Sequence, residues 1–190
     1  MLTLNVPNVL TMLRILLVPV VVVALLNETP NGDLLAAVVF AFASATDWVD
    51  GWLARSSNTV TTFGKLMDPI ADKLLVVAAL VSLVSLHRLQ AWVAMVIIAR
   101  ELAVTMSRMA ATGQGVVISA NRWGKIKTSV QVVTIFLLIA VDDSPAWLDA
   151  LVYVTVAITV ISGVDYFFGL RRRLSEAQRP VASSQSRIDV

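Results

Sequence analysis

Four aspartates lie inside or beside strongly apolar stretches of the chain. Asp47 and Asp50 follow the apolar run 34–45, and Asp68 and Asp72 precede a second apolar run. A charged side chain within a bilayer costs at least about 2.5–3.5 kcal/mol on insertion scales, so each aspartate needs a reason. The spacings i, i+3 and i, i+4 place each pair on one helical face. Because a short loop joins the two helices, we expect the acidic faces to meet, and a hard divalent cation would relieve their repulsion.

The composition narrows the choice of metal. The chain contains no cysteine and a single histidine, His87, which lies at the far end of its apolar segment from the aspartates. Zinc sites are built mainly from cysteine and histidine, so zinc is not expected. Oxygen ligands alone favour Mg²⁺ or Mn²⁺, and the sequence leaves both open.

Individual aspartates also have simpler structural interpretations. Asp68 precedes Pro69 and could cap the N-terminus of a helix. Asp72 could pair with the adjacent Lys73. Asp47 fits neither role, because a dozen apolar or small residues precede it on the same helix. The coincidence of four carboxylates on two helical stripes favours the metal site.

Small and basic residues accompany the first pair of aspartates. Gly51 and Ala54 would leave room for a bulky group to approach the backbone, although close helix packing in a membrane uses the same residues. Arg55 is placed to meet phosphate oxygens. It could equally serve as a positively charged anchor at the membrane surface.

The composition is typical of a membrane protein. Hydrophobic residues make up 57% of the 190 residues and charged residues only 15%, against about 25% charged in soluble domains. The mean hydropathy is +0.80. The first apolar run has no small-residue cleavage site after it, so we interpret it as a retained span rather than a signal peptide. A net charge of +2 is too small to indicate nucleic-acid binding.

Six apolar segments have the length that a helix needs to cross a bilayer, about 20 residues. We therefore predict an all-α integral membrane protein with a membrane domain over 1–170 and a polar, disordered cytoplasmic tail over 171–190. The predicted spans are 8–26, 33–54, 66–86, 90–111, 125–141 and 146–170.

Basic residues are distributed unequally between the two sets of connecting segments. One set carries Arg55, Lys65, Arg122, Lys125, Arg171, Arg172 and Arg173. The other set carries Arg88 alone, with acids at Glu28, Asp142 and Asp143. The positive-inside rule then places both termini, and the site beside the aspartates, on the cytoplasmic side.

The aspartate spacing resembles the signature of a known family, the CDP-alcohol phosphotransferases. The pattern D-x-x-D-G-x-x-A-R, eight further residues and G-x-x-x-D-x-x-x-D is filled without departure. Its fixed positions are Asp47, Asp50, Gly51, Ala54, Arg55, Gly64, Asp68 and Asp72. The resemblance implies a membrane enzyme that joins a CDP-linked donor to an alcohol and releases CMP, and it implies a homodimer.

The same resemblance assigns roles to residues. It implies that the four aspartates bind divalent metal and that Asp72 also takes the proton of the acceptor. Contacts to the CDP-linked donor are implied for Asn8, Thr11, Gly51, Ala54, Arg55 and Thr61. Asn8 could instead cap the first helix after Pro7.

Basic residues in the second half of the chain could bind the acceptor. A pocket for a phosphate monoester could be built from Arg100, Arg108, Lys125, Lys127 and Thr128. Arg100 and Arg108 are two helical turns apart and thus broadly on one side. Alternatively, Arg100 pairs with Glu101 or a motif aspartate, and the lysines only set the topology.

Four further motifs resemble the phosphatidylglycerophosphate synthase branch of the family. They are P-N-x-L-T-x-x-R over 7–14, A-R-E-L over 99–102, G-K-x-K-T-x-x-Q over 124–131 and S-G-x-D-Y over 162–166. That branch implies CDP-diacylglycerol as donor and sn-glycerol 3-phosphate as acceptor. A cardiolipin synthase using phosphatidylglycerol, or a phosphatidylinositol phosphate synthase, is the alternative within the family.

An ion carrier with an acidic site is an alternative from another class. Transport requires polar groups through the outer half of the bilayer as well. The outer stretches of the second, third and fourth predicted spans, 34–43, 76–86 and 91–99, contain no ionisable residue. The aspartate site is therefore expected to open to one side only, which favours an enzyme.

Overall fold

The computed structural model describes residues 6–27, 31–56, 62–113, 122–141 and 145–177. Within these ranges, only the helical backbone is described for 6–8, 10, 47–56, 62–72, 122–123 and 174–177. The described residues form six helices and no strand, so the all-α class predicted from the sequence is confirmed for them. The helices are α1 Val6–Leu26, α2 Gly32–Ser56, α3 Thr62–Ser85, α4 Ala91–Gly113, α5 Arg122–Ala140 and α6 Ala146–Ala177.

One helix corresponds to each predicted span, but two helix ends differ clearly. Helix α3 begins at Thr62 rather than at residue 66, so Gly64 is already helical. Helix α6 continues to Ala177, because the sequence after residue 170 is rich in good helix formers. The boundary predicted between membrane domain and tail therefore falls inside α6. The rest of the predicted tail, 178–190, lies outside the described residues.

Helix α1 is the element that joins the two aspartate-bearing helices. It packs along both α2 and α3, whereas α2 and α3 touch each other at few positions in the described part of the chain. The expected meeting of the acidic faces of α2 and α3 depends on side chains at 47–50 and 68–72, which lie outside the described residues, so it stays a prediction. Val21 and Leu25 of α1 are fully buried in the core that results. Helix α5 contacts α2, α3 and α6, and α4 packs against α6 and α3.

The outer surface of the described helices is strongly apolar. Every described helix exposes large apolar side chains, among them Leu16 at 67% and Met95, Met106 and Phe168 at 69%. The buried polar side chains are Thr11, Arg14, Ser82, Glu101, Lys127, Gln131, Thr134, Thr155, Thr159 and Ser162. Apolar exteriors, with the few ionisable side chains turned inward, are typical of lipid-embedded helices. By length and composition, the described residues contain one stretch that could cross a membrane, Ala146–Arg173, and three shorter apolar helices.

The turn between α3 and α4 ties three helices together. His87 adopts a left-handed backbone with φ of 59°, and the Arg88 amide donates to the Leu83 carbonyl at 3.0 Å. This turn directs the Arg88 guanidinium to Asp33 at the start of α2, with a 2.7 Å ion pair. Arg88 also donates to the Ile139 carbonyl near the end of α5 at 3.4 Å. The sequence alone had indicated only an isolated cation at this position.

His87→Gly is expected to stabilise the protein. The left-handed conformation is unfavourable by about 1–2 kcal/mol for a residue with a Cβ atom, while glycine loses about 0.4–1 kcal/mol through a more flexible unfolded chain. We expect a net gain of about 0.5–1 kcal/mol, measured as a higher thermal unfolding midpoint in detergent micelles. His87→Ala is the control, since it keeps the Cβ atom. An equal gain in the alanine variant would show that the backbone conformation is not the cause.

Candidate functional site

A cavity of about 440 Å³ opens between α1, α2, α3 and α5. Its size falls within the range of about 300–1,000 Å³ that is usual for small-molecule sites. Most of its wall is apolar, and polar side chains enter from four helices: Arg14, Lys73, Glu101, Lys127 and Gln131. An apolar wall with a few convergent charged groups is the usual character of a site for an amphipathic ligand.

The cavity lies next to both ends of the aspartate motif. Ser44 and Ala45 of α2 line it, and the same helix continues directly to Asp47. Lys73 of α3 lines it too, immediately after Asp72 in the same helix. The residues just before Asp47 and just after Asp72 therefore both line the cavity. The side chains of the four aspartates lie outside the described residues.

A buried carboxylate organises the polar end of the cavity. Glu101 of α4 is 4% exposed, and its Oε2 lies 2.9 Å from the Lys73 ammonium. Its Oε1 contacts the Lys127 ammonium and lies 3.2 Å from Arg100 Nη1. Lys127 is itself only 2% exposed. We call Glu101, Lys73, Arg100 and Lys127 the Glu101 cluster; it joins α3, α4 and α5.

Arg100 extends the Glu101 cluster to α6. Its Nη2 donates to Ser162 Oγ at 3.0 Å, and Ser162 in turn donates to the Thr159 carbonyl. Helix α6 passes close to Arg100 at Gly163, where an added Cβ atom would lie 3.3 Å from Arg100 Cγ. The alternative interpretation of Arg100, a pair with Glu101, is thus present in the structure.

Two of the five predicted acceptor contacts line the cavity. Lys127 enters it as part of the Glu101 cluster. Thr128 also lines it, and its hydroxyl donates to the Gly124 carbonyl at 3.0 Å. Arg100 touches the cavity only through the carboxylate of Glu101.

The other two predicted acceptor contacts are not among the described residues that line the cavity. The Arg108 guanidinium lies 5.9 Å from the centre of the Tyr166 ring on α6, at the limit of a cation–π contact. Lys125 is exposed on the first turn of α5. The structure therefore separates the predicted acceptor residues into a cavity group and an outer group.

The predicted donor contacts fall mostly where side chains are not described. Thr11 is an exception: it is buried, and it lies one helical turn before Arg14 on the same face of α1. Asn8 belongs to α1, and Gly51, Ala54 and Arg55 belong to α2, but nothing is described beyond their backbones. Thr61 lies outside the described residues. Among the side chains that are described, no group of three or more acidic or histidine residues could hold a metal ion.

Four cavity residues were given no role in the sequence analysis: Arg14, Lys73, Glu101 and Gln131. Two of them carried a usable signal. Arg14 and Glu101 are ionisable residues within apolar helices, where such residues are functional by default. Lys73 is adjacent to Asp72, so the sequence indicated it only as an ion-pair partner of that aspartate. Gln131 is the last residue of the motif over 124–131 but has no charge, so composition does not indicate its burial.

Comparison with known proteins gives a consistent family. Residues 4–161 match the family described as CDP-alcohol phosphatidyltransferase. A CDP-diacylglycerol–glycerol-3-phosphate 3-phosphatidyltransferase of Bacillus subtilis is 42% identical over 86% of this chain and 93% of its own. A probable phosphatidylglycerophosphate synthase of Mycobacterium tuberculosis is 43% identical over 85% of this chain and 79% of its own. A further phosphatidyltransferase with the same name as the first, from Haemophilus influenzae, is 34% identical over 85% and 91%.

Glu101→Gln is expected to destabilise the protein strongly. The variant keeps the shape of the side chain but leaves the cations of the Glu101 cluster without their shared carboxylate, and breaking a buried ion pair in this way costs about 3–5 kcal/mol. The measurement is the thermal unfolding midpoint in detergent micelles. Asp149→Asn, which removes an exposed carboxylate from the first turn of α6, is the control and should change stability by less than about 1 kcal/mol. Equal shifts in the two variants would contradict the assigned role of Glu101.

Proposed function

The chain belongs to the CDP-alcohol phosphatidyltransferase family, and we propose that it acts on CDP-diacylglycerol and sn-glycerol 3-phosphate. The products are phosphatidylglycerophosphate, a phospholipid precursor, and CMP. One observation supports this acceptor most directly. The cavity beside the aspartate motif has an apolar wall and a polar end with buried Lys127 and partly buried Lys73, which suits a small anionic acceptor meeting a lipid-linked donor.

The polar end of the cavity is suited to a phosphate monoester. Such a group carries nearly two negative charges at neutral pH and several strong acceptor oxygens. Lysine binds phosphate as a compact point charge with three donors, and Lys127 offers this at the wall. Glu101 holds the ammonium groups of Lys127 and Lys73 in place. Arg100, Arg108, Lys125 and Thr128 remain predicted acceptor contacts.

The proposed reaction is a single displacement at phosphorus. A hydroxyl oxygen of the acceptor forms a bond to the phosphorus that carries the diacylglycerol. The bond from that phosphorus to the oxygen of CMP breaks, and CMP leaves with the electron pair. The hydroxyl proton passes to the carboxylate of Asp72, the proposed general base. Asp72 directly precedes Lys73, so the proposed base and the cavity wall belong to the same turn of α3.

A divalent cation fits the donor set of the motif. The four carboxylates of Asp47, Asp50, Asp68 and Asp72 lie on two helical backbones that α1 joins, and hard cations such as Mg²⁺ or Mn²⁺ prefer oxygen ligands. A bound metal would neutralise the charge of the pyrophosphate in the donor. The remaining donor contacts are proposed for Asn8, Thr11, Gly51, Ala54, Arg55 and Thr61.

All six helices are proposed to cross a cell membrane, with both termini and the site on the cytoplasmic side. The apolar exteriors of the described helices support this arrangement. Basic residues also concentrate at the ends of α2 and α6 and at the starts of α3 and α5, which an alternating arrangement of spans places together. A homodimer is expected from the family resemblance and stays a prediction.

Metal removal and aspartate substitution should abolish turnover. We expect excess chelator to stop CMP release and Mg²⁺ or Mn²⁺ to restore it. Asp47→Asn, Asp50→Asn and Asp68→Asn should be inactive yet fold normally, since each removes one charged ligand and leaves a side chain of the same shape. Asp72→Asn should lose the chemical step but still bind donor and metal. Substantial turnover in chelator would rule out the metal site, and near-normal turnover of Asp72→Asn would assign the base elsewhere.

Lys127→Gln should weaken acceptor binding selectively. A charge-assisted hydrogen bond contributes about 1.5–3 kcal/mol, so the KM for sn-glycerol 3-phosphate should rise about tenfold or more, while the KM for CDP-diacylglycerol changes little. Arg171→Gln, at an exposed position near the end of α6, is the control. The assay is CMP release by purified protein.

The acceptor panel tests the function itself. Wild-type protein should use sn-glycerol 3-phosphate well, and glycerol poorly because it lacks the phosphate. Phosphatidylglycerol should also be poor, since its phosphodiester carries less charge and its acyl chains need a second lipid groove. A preference for phosphatidylglycerol would instead assign cardiolipin synthesis, and a preference for inositol phosphate the third activity of the family.

A further inference from the structure

Gln131 lies at the polar end of the main cavity with no assigned function. It is 3% exposed and lines the cavity from α5. It follows Lys127 by four residues, which places the two side chains on the same face of the helix, with their Cβ atoms about 5–6 Å apart. The cavity therefore presents an amide one turn away from the buried ammonium.

The amide oxygen of Gln131 receives no hydrogen bond from any residue that the structure describes. Buried polar groups are almost always paired, so an orphaned acceptor in a cavity wall points to a ligand. The nearest polar side chain on the next turn of α5 is already engaged. Thr134 and Thr155 have their hydroxyl oxygens 2.7 Å apart, and Thr134 donates to the Val130 carbonyl at 2.8 Å.

A second void beside Gln131 does not offer an equivalent partner. It measures about 10 Å³ and is lined mostly by apolar side chains such as Leu80, Val93 and Ile97. That volume is at the limit for a single water molecule. The main cavity, at about 440 Å³, is the side on which a ligand group can reach the amide.

We propose that Gln131 binds the secondary hydroxyl of the acceptor and thereby selects glycerol phosphate over alcohols that lack this group. The inference rests on the proposed function, because it requires an acceptor whose phosphate binds at Lys127. An amide offers both an acceptor and donors, so the amide oxygen of Gln131 can accept a hydrogen bond from that hydroxyl. The spacing between Lys127 and Gln131 suits a three-carbon phosphate, in which the hydroxyl lies close to the phosphate. The primary hydroxyl at the other end of the acceptor is then left for the reaction.

The selection arises from the cost of leaving a buried group unpaired. A site built to bond a substrate hydroxyl discriminates against an analogue that lacks it, since the protein group then has no partner. Gln131 would be such a group. It is a specificity-determining residue that acts on the acceptor and takes no part in proton transfer.

The test compares two acceptors in the full-length protein, purified in detergent micelles with CDP-diacylglycerol. One acceptor is sn-glycerol 3-phosphate, and the other is 3-hydroxypropyl phosphate, which keeps the phosphate and primary hydroxyl but lacks the secondary hydroxyl. Wild-type protein should prefer sn-glycerol 3-phosphate about tenfold or more in kcat/KM, the effect of one hydrogen bond to a buried group. Gln131→Met, which has similar volume and no amide, should turn over the two acceptors within about twofold of each other.

The outcomes separate this inference from the proposed function. The preference should disappear because Gln131→Met loses turnover of sn-glycerol 3-phosphate and keeps that of the analogue, and the retained turnover also shows that the variant is folded. Gln131→Leu is a second variant with the same expectation. Thr134→Val is a matched control on the same buried face of α5 and should keep the wild-type preference. A preference that persists in the Gln131 variants, or no preference in the wild type, would overturn the role of Gln131 while the proposed function stands. No CMP release with either acceptor would instead overturn the proposed function.

Discussion

The carboxylate of Glu101 is the group on which the interior of this protein depends. It brings the ammonium groups of Lys73 on α3 and Lys127 on α5 to one point, and Arg100 carries the connection on to Ser162 of α6. Each of these charges would be costly to bury alone in an apolar environment, and the shared carboxylate offsets part of that cost. The cluster therefore requires four helices to meet at one level. Three members of the cluster, Lys73, Glu101 and Lys127, line the cavity.

In the proposed lipid environment, the hydrophobic effect contributes little to helix association, so polar contacts between the helices gain influence. Apolar side chains lose little by facing acyl chains, so association depends on packing and on hydrogen bonds between helices. The Thr134–Thr155 pair joins α5 to α6 in the middle of the bundle. At the other end, Arg88 joins the start of α2 to the end of α5. Helix α5 is thus fixed at three levels, and Lys127 and Gln131 lie on the part of it that faces the cavity.

The sequence predicted the helices well but said little about which helices pack together. Apolar runs of sufficient length gave one helix for each predicted span, because length and hydropathy are local properties. Helix packing is not local: nothing in α2 or α3 indicated that α1 would lie along both of them. The extension of α6 to Ala177 was missed for a related reason. A change from apolar to charged residues marks the edge of a lipid-facing segment, but it does not end a helix whose charged residues are good helix formers.

The same limit explains which site residues could be found. The aspartate motif is visible because four charges at helical spacing in an apolar sequence are improbable. Arg100 and Glu101 are equally improbable, but adjacent residues on a helix point about 100° apart, and the sequence does not say which of them faces the cavity. The structure gives the cavity to Glu101 and directs Arg100 toward α6.

The Glu101 cluster is also connected to the aspartate motif. Lys73 is bound to Glu101 and directly follows Asp72, so the ion pair fixes the turn of α3 on which Asp72 lies. The same carboxylate fixes Lys127 at the acceptor end of the cavity. One buried glutamate therefore links the turn of α3 that carries the proposed base to the proposed phosphate site. The relative position of these two sites matters for a displacement reaction, because its rate depends on holding the attacking oxygen in line with the bond that breaks.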